Sequence, residues 1–129
     1  MAVKSSPPKP ARLRIRADFL RAARGIRRSA GCLTVETCLT PGESGPADGI
    51  RVGFTASRKV GNAVARNRAK RRLRAAAAAL LPLYGLPGHD YVLVGRTATL
   101  TRPFPALLED LKAALAGAHA KLPKPKAEA

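Results

Sequence analysis

Between Arg66 and Arg74 the chain places six cations in nine residues: Arg66, Arg68, Lys70, Arg71, Arg72 and Arg74. Asn67 stands among them and no carboxylate interrupts them. An arginine offers five donors in a planar fork that takes phosphate oxygens in pairs. Asparagine both donates and accepts, so Asn67 suits a sugar hydroxyl or a base edge. Arg58 and Lys59 stand just upstream, before Gly61-Asn62, where a helix N-terminus would add free N–H groups for a further phosphate. The chemistry on offer is phosphate binding. A merely solvated face would mix Glu with Lys and Arg.

Residues able to make or break bonds are scattered by comparison. The eight acids are Asp18, Glu36, Glu43, Asp48, Asp90, Glu109, Asp110 and Glu128. Their one adjacent pair, Glu109-Asp110, reads as the polar face of the last helix. His89 before a strand and His119 in the C-terminal tail read as incidental. Cys32 and Cys38 form no CxxC pair. Six residues apart on an extended segment they lie roughly 20 Å apart, too far to bridge, and read as buried strand cysteines of a reducing cytoplasm. Neither a general acid–base pair nor a metal cluster can be assembled from this set. The chain is expected to bind RNA, to hold no cofactor or metal by itself, and to catalyse nothing alone.

Composition agrees. The 129 residues include 24 Lys or Arg against 8 Asp or Glu, a net charge of +16, which points to a polyanion as partner. Hydrophobic residues are 46% and aromatic ones 4%, with no Trp, so one domain must form its core from Leu, Val, Ile and Ala. No run approaches the ~18–20 apolar residues of a membrane span; the densest, Ala75 to Leu81, ends at Pro82. The N-terminus has no apolar stretch of the secretory kind, which makes the expected location cytoplasmic.

The elements that must position the basic run follow from periodicity. Residues 1–12 and 118–129, rich in Pro, Lys and small residues, are expected to be disordered tails around a single RNA-binding domain at 13–117. Asp18 is placed to cap a short helix ending at Gly25. Residues 31–39 read as a strand with Leu33, Val35 and Leu39 on one face. The Gly- and Pro-rich 40–49 segment is a connection. Ile50, Val52, Phe54 and Ala56 alternate with polar or small residues, a half-buried strand antiparallel to the previous one. Asn62 is placed to cap a helix running to about Leu81, docked through Ala65, Ala69, Leu73, Ala76 and Leu80. Asn67, Arg68, Arg71 and Arg74 then lie opposite that stripe, with Arg66 and Lys70 on one flank and Arg72 on the other. Residues 90–95 read as a buried strand. A last helix starts near Phe104, with Phe104, Leu107 or Leu108, Leu111 and Leu115 inward. The expected fold is α+β, a two-layer sandwich of three helices on a mixed sheet of about four strands.

The segment FTASRKVGNAVARNRAKRRLR resembles the signature of the bacterial ribonuclease P protein family. Ser57-Arg58-Lys59-Val60-Gly61 matches its turn, and Arg66-Asn67-Arg68 followed by Lys70, Arg71, Arg72 and Arg74 matches its basic helix. LRIRADF at 13–19 and HDYVLVGR at 89–96 continue the likeness across nearly the whole domain. The resemblance implies the protein subunit of a ribonucleoprotein that removes the 5′ leader from precursor tRNA, monomeric in a 1:1 complex with a catalytic RNA. Cleavage would be done by that RNA with Mg²⁺. The residues Arg58, Lys59, Arg66, Asn67, Arg68, Lys70, Arg71, Arg72 and Arg74 would contact the RNA subunit. Arg12, Arg14, Arg16 and Phe19 would contact the leader. A fold like the second domain of ribosomal protein S5 is implied, with a left-handed βαβ crossover. Ala23 stands where the family commonly has a second aromatic, one turn after Phe19.

Two other readings differ in class. A structural, ribosomal-type RNA-binding protein would carry the same helix with no role in cleavage. A DNA-binding regulator would need a helix-turn-helix, against which the strand-turn-helix context of Gly61 argues.

Overall fold

A computed structural model describes residues 10–41 and 49–122. Most of both tails and of the 40–49 connection therefore lie outside the described residues. The elements, in chain order, are β1 (Ala11–Arg12), α1 (Arg16–Ala23), β2 (Ile26–Ala30), β3 (Leu33–Leu39), β4 (Ile50–Ala56), α2 (Ala63–Tyr84), β5 (His89–Gly95) and α3 (Phe104–Ala120). Short 3-10 turns at Arg58–Val60 and Thr97–Leu100 precede the two long helices.

The strands form one mixed sheet in the order β1-β4-β5-β3-β2, five rather than about four. β5 is central, antiparallel to β3 and parallel to β4, and β4 reaches it through the α2 crossover. β3 and β4 do run in opposite directions, as their short connection predicts, but they are not neighbours. The reason lies in β5: Tyr91 and Leu93 point to one core, Val92 and Val94 to another. A strand apolar on both faces is stable only in the middle of a sheet covered on both sides. β2 gave no periodic signal because Arg27, Arg28 and Ser29 are exposed on an edge; pairing with β3 alone makes it a strand.

α2 and α3 cover the larger core, where Leu33, Val35, Leu73, Leu81, Leu107, Leu111 and Leu115 are buried with Tyr91 and Leu93. Short α1 covers part of the opposite face through Ala22 and Phe19, against Val92 and Val94. Leu39, expected inside, is 69% exposed, and Thr37 takes the inward place, its hydroxyl donating to the Asp90 carbonyl at 2.9 Å. α3 runs beyond residue 117 and Ala118 is buried, so the ordered helix overruns the expected tail. At the other end Ala11 and Arg12 pair with Arg51 and Val52.

Asp18 does not cap α1. The N-cap position is Ile15, without a side-chain bond, and Asp18 is buried inside the first turn. Its Oδ1 accepts from Arg21 Nη1 at 2.7 Å and lies 3.3 Å from Arg51 Nη2. Arg51 on β4 grips the fully buried Asp90 of β5 with both prongs, at 2.8 and 2.6 Å. Thr40, just after β3, donates to the same carboxylate at 2.6 Å. The Arg21 hydrogen bond, helped by Arg51, holds the Asp18 carboxyl below the usual carboxylate range.

Asp110 is likewise structural rather than part of a solvated face. Its Oδ2 accepts the Cys32 N–H at 3.0 Å, and Arg102 forks both oxygens at 2.8 and 3.0 Å. The bond ties α3 to the β2–β3 turn, where Gly31 has φ 54° and an added Cβ would strike the Asp110 carboxylate. Burial raises the Asp110 pKa, but Arg102 and the Cys32 N–H outweigh it and leave a net lowering. Burial pushes the Cys32 and Cys38 thiols up to about 11, and both are free. His119 is not in a tail: its Nε2 lies 2.8 Å from the Tyr91 hydroxyl, which accepts from Leu86 N–H.

Two outcomes follow. Arg51→Leu strands a buried carboxylate and should cost about 3–5 kcal/mol in urea unfolding. For Asp110, a lowered folded pKa means stability present above the ordinary value of 3.8 and lost as pH falls through the folded one. The stability gap between wild type and Asp110→Asn should therefore be full at about pH 6 and narrow towards about pH 3, measured by melts at both values.

Candidate nucleic-acid interface

α2 begins where Gly61, at φ 141°, turns the chain after the 3-10 turn. The Asn62 side chain then accepts the Ala65 N–H at 2.9 Å, a cap worth about 1 kcal/mol. The helix docks through Ala69, Leu73, Ala76, Ala77 and Leu81, all buried. Leu80 packs half-buried against the same core as expected, Leu81 is buried beside it, and the helix runs on to Tyr84 with Pro82 in its last turn. Small residues bring it close to the sheet: a Cβ on Gly95 would lie 3.3 Å from that of Ala69. Asn67, Arg68, Arg71 and Arg74 face solvent, while Arg66, Lys70 and Arg72 are half-buried on the flanks.

None of the α2 cations forms an ion pair among the described residues. The carboxylates are engaged elsewhere: Asp18 by Arg21 and Arg51, Glu36 by Arg27, Asp90 by Arg51 and Asp110 by Arg102. Glu109 is exposed on α3. The framework thus holds its acids against arginines outside α2 and leaves the α2 cations for an external anion.

A cleft of about 590 Å³ lies beside α2, lined by Arg12, Leu13, Arg14, Phe19, Phe54, Val64, Asn67, Lys70, Arg71 and Arg74. Its position follows from the shortness of β1. That strand pairs only with Arg51 and Val52, and Leu13 N–H ends the ladder on the Val52 carbonyl at 2.8 Å. Beyond it, among the described residues, β4 continues as a free edge between α1 and α2. Phe19 lies over Gly53, where an added Cβ would come within 2.5 Å of the ring. Phe54 lines the cleft from β4, with the Arg74 guanidinium 5.5 Å from its ring centroid.

The cleft therefore joins two groups of residues separate in sequence: Arg12, Arg14 and Phe19 with Asn67, Lys70, Arg71 and Arg74. Five cations and no carboxylate line it. Arg16, Arg58, Lys59 and Arg66 do not line it. Arg58 and Lys59 lie exposed on the 3-10 turn before α2. Arg68 and Arg72 face the other flank, beside Leu100 and Phe104. Phe54 and Val64 were missed as lining residues. Phe54 alternates with Val52 like any core residue, whereas Val64, 74% exposed, sits one turn before Arg68 with no apolar partner in register.

Gly53→Ala should cost about 1–3 kcal/mol by crowding Phe19. It should also shift the Phe19 ring resonances in an NMR spectrum, and unchanged shifts would place the ring elsewhere.

The known proteins this chain is similar to agree with the geometry. The sequence profile of the Ribonuclease P family matches residues 8–119. The ribonuclease P protein component of Ruegeria pomeroyi is 59% identical over 114 residues, 88% of each chain. That of Paramagnetospirillum magneticum is 52% identical over 106 residues, 81% of this chain and 79% of its own. In three dimensions the fold is similar to the Staphylococcus aureus RNase P protein, with TM-score 0.66, 27% identity and coverage of 88% and 97% of the two chains. It is equally similar to the Thermotoga maritima protein, with TM-score 0.66, 27% identity and coverage of 81% and 94%. With its basic helix, its cleft and its likeness to these proteins along most of its length, the chain belongs to the ribonuclease P protein family.

Proposed function

We propose that this chain is the protein subunit of ribonuclease P, acting in removal of the 5′ leader from precursor tRNA. The observation that carries the reading is the distribution of charge. The acids Asp18, Glu36, Asp90 and Asp110 are paired with arginines outside α2, and the α2 cations are left without carboxylates among the described residues. Such a surface is ready for phosphates without breaking internal pairs.

In this reading the exposed side of α2, with Arg68 and Arg71 about Asn67, binds the RNA subunit, aided by Arg58, Lys59, Arg66 and Arg72. The single-stranded leader runs through the cleft, its phosphates on Arg12 and Arg14 and a base against Phe19; Lys70 and Arg74, expected on the RNA subunit, line the same cleft and can reach either RNA. Arg16, outside the cleft, adds long-range attraction. The protein supplies no catalytic group. Its buried carboxylates are committed to guanidiniums and do not suit a metal site, so Mg²⁺ belongs to the RNA, where it would activate the attacking water. The complex is 1:1 and cytoplasmic, and no described helix is long and apolar enough to cross a membrane. A structural RNA-binding protein with no role in cleavage is not favoured, given the family.

The test is cleavage of precursor tRNA by the cognate RNA subunit at low Mg²⁺. The full chain should stimulate it, and no stimulation would overturn the reading. Arg68→Ala should weaken RNA-subunit binding and reduce the slope of log K against log salt by about one.

A further inference from the structure

α2 has two flanks, and the cleft uses only one. On the other, a depression of about 470 Å³ is lined by Arg68, Arg71, Arg72, Ala75, Leu100 and Phe104. Helical periodicity would bury Phe104 with Leu107 and Leu111, yet it is 37% exposed. α3 starts with Phe104, one turn before the layer where the helix meets the sheet. The start of α3 is nevertheless held against α2. The Arg102 guanidinium forks the Asp110 carboxylate, and the Arg102 carbonyl accepts from Arg72 Nη2. Arg72 Nε is buried with no hydrogen-bond partner among the described residues.

An aromatic ring is thus exposed at a fixed place beside three arginines, and no carboxylate lines the depression. A base stacks on such a ring whatever its identity, and guanidinium forks take the phosphates on either side. Arg71 lines the cleft as well, so the two surfaces are continuous across the crest of α2. Charge and continuity both favour RNA as the occupant.

We propose that this depression binds one unpaired nucleotide of the RNA subunit, its base stacked on Phe104 and its phosphates held by Arg68 and Arg71. The site is distinct from the leader cleft, and α2 grips two RNA segments at once, one on each flank. The proposal rests on the ribonuclease P reading.

The experiment measures the affinity of the full chain for its cognate RNA subunit by filter binding. Wild type is compared with Phe104→Ala, Phe104→Leu and Phe104→Tyr. A melting curve for each variant checks that the fold is kept. The Leu variant keeps an apolar side chain in the depression that Leu100 also lines but has no ring face. Ala and Leu should each weaken binding about tenfold, and Tyr should restore it. The preference of the assembled holoenzyme for precursor over mature tRNA should not change. Wild-type affinity in the Leu variant would overturn the proposal, as would a loss confined to precursor tRNA, which would assign the ring to the leader. If wild type fails to bind the RNA subunit at all, the functional reading falls and this proposal with it. If wild type binds and the Leu variant binds equally well, the proposal alone falls.

Discussion

One guanidinium joins three elements of this molecule. Arg51 reaches from β4 to the buried carboxylate of Asp90 on β5 and lies 3.3 Å from Asp18 on α1. Removing these charges from water is costly, and the attraction compensates only when geometry is good and the other lone pairs are satisfied. Here they are: the contact is bidentate, Thr40 donates to Asp90, and Arg21 donates to Asp18. The network seats α1 on the sheet next to β4. That seat puts Phe19 over Gly53 and makes α1 one wall of the cleft, so the shape of the candidate RNA surface depends on an ion pair buried in the framework.

The same economy of acids explains why so basic a protein can fold. Pairing the acids Asp18, Glu36, Asp90 and Asp110 with Arg21, Arg27, Arg51 and Arg102 stabilises the junctions of the framework. It leaves mutual repulsion along α2, where cations four apart, such as Arg66 and Lys70, oppose helix formation. Three features offset that repulsion: the Asn62 cap, an alanine-rich continuation of high helix propensity, and tertiary docking of the small-residue stripe. The helix is thus rigid while its charge is unneutralised. An anion that binds it meets preorganised donors and does not first have to break internal salt bridges.

Much of this was legible in the chain. The alternation of Ile50, Val52, Phe54 and Ala56, the cap at Asn62, the strand near 90–95 and the basic face opposite an alanine stripe all express local rules of period and capping, and the structure has each of them. β2 was illegible because an exposed edge strand needs no apolar alternation. Asp18 and Asp110 each have a local arginine, Arg21 and Arg102, but their cross-links were illegible because Arg51 and the Cys32 N–H lie 33 and 78 residues away in sequence. His119 was taken for tail because nothing near it announces Tyr91 across the core.

The sequence by itself determined which residues could hold phosphate and that they would share one face of a helix, since a period of 3.6 residues is a property of the backbone alone. It could not determine what stands beside that face. The insertion of β5 between β4 and β3, the two-residue length of β1 and the place of Phe104 come from long-range pairing and from the competition of apolar faces for burial. Those tertiary choices bring Phe19 and Phe54 to one flank of α2 and Phe104 to the other, and so turn a charged helix into a shaped surface.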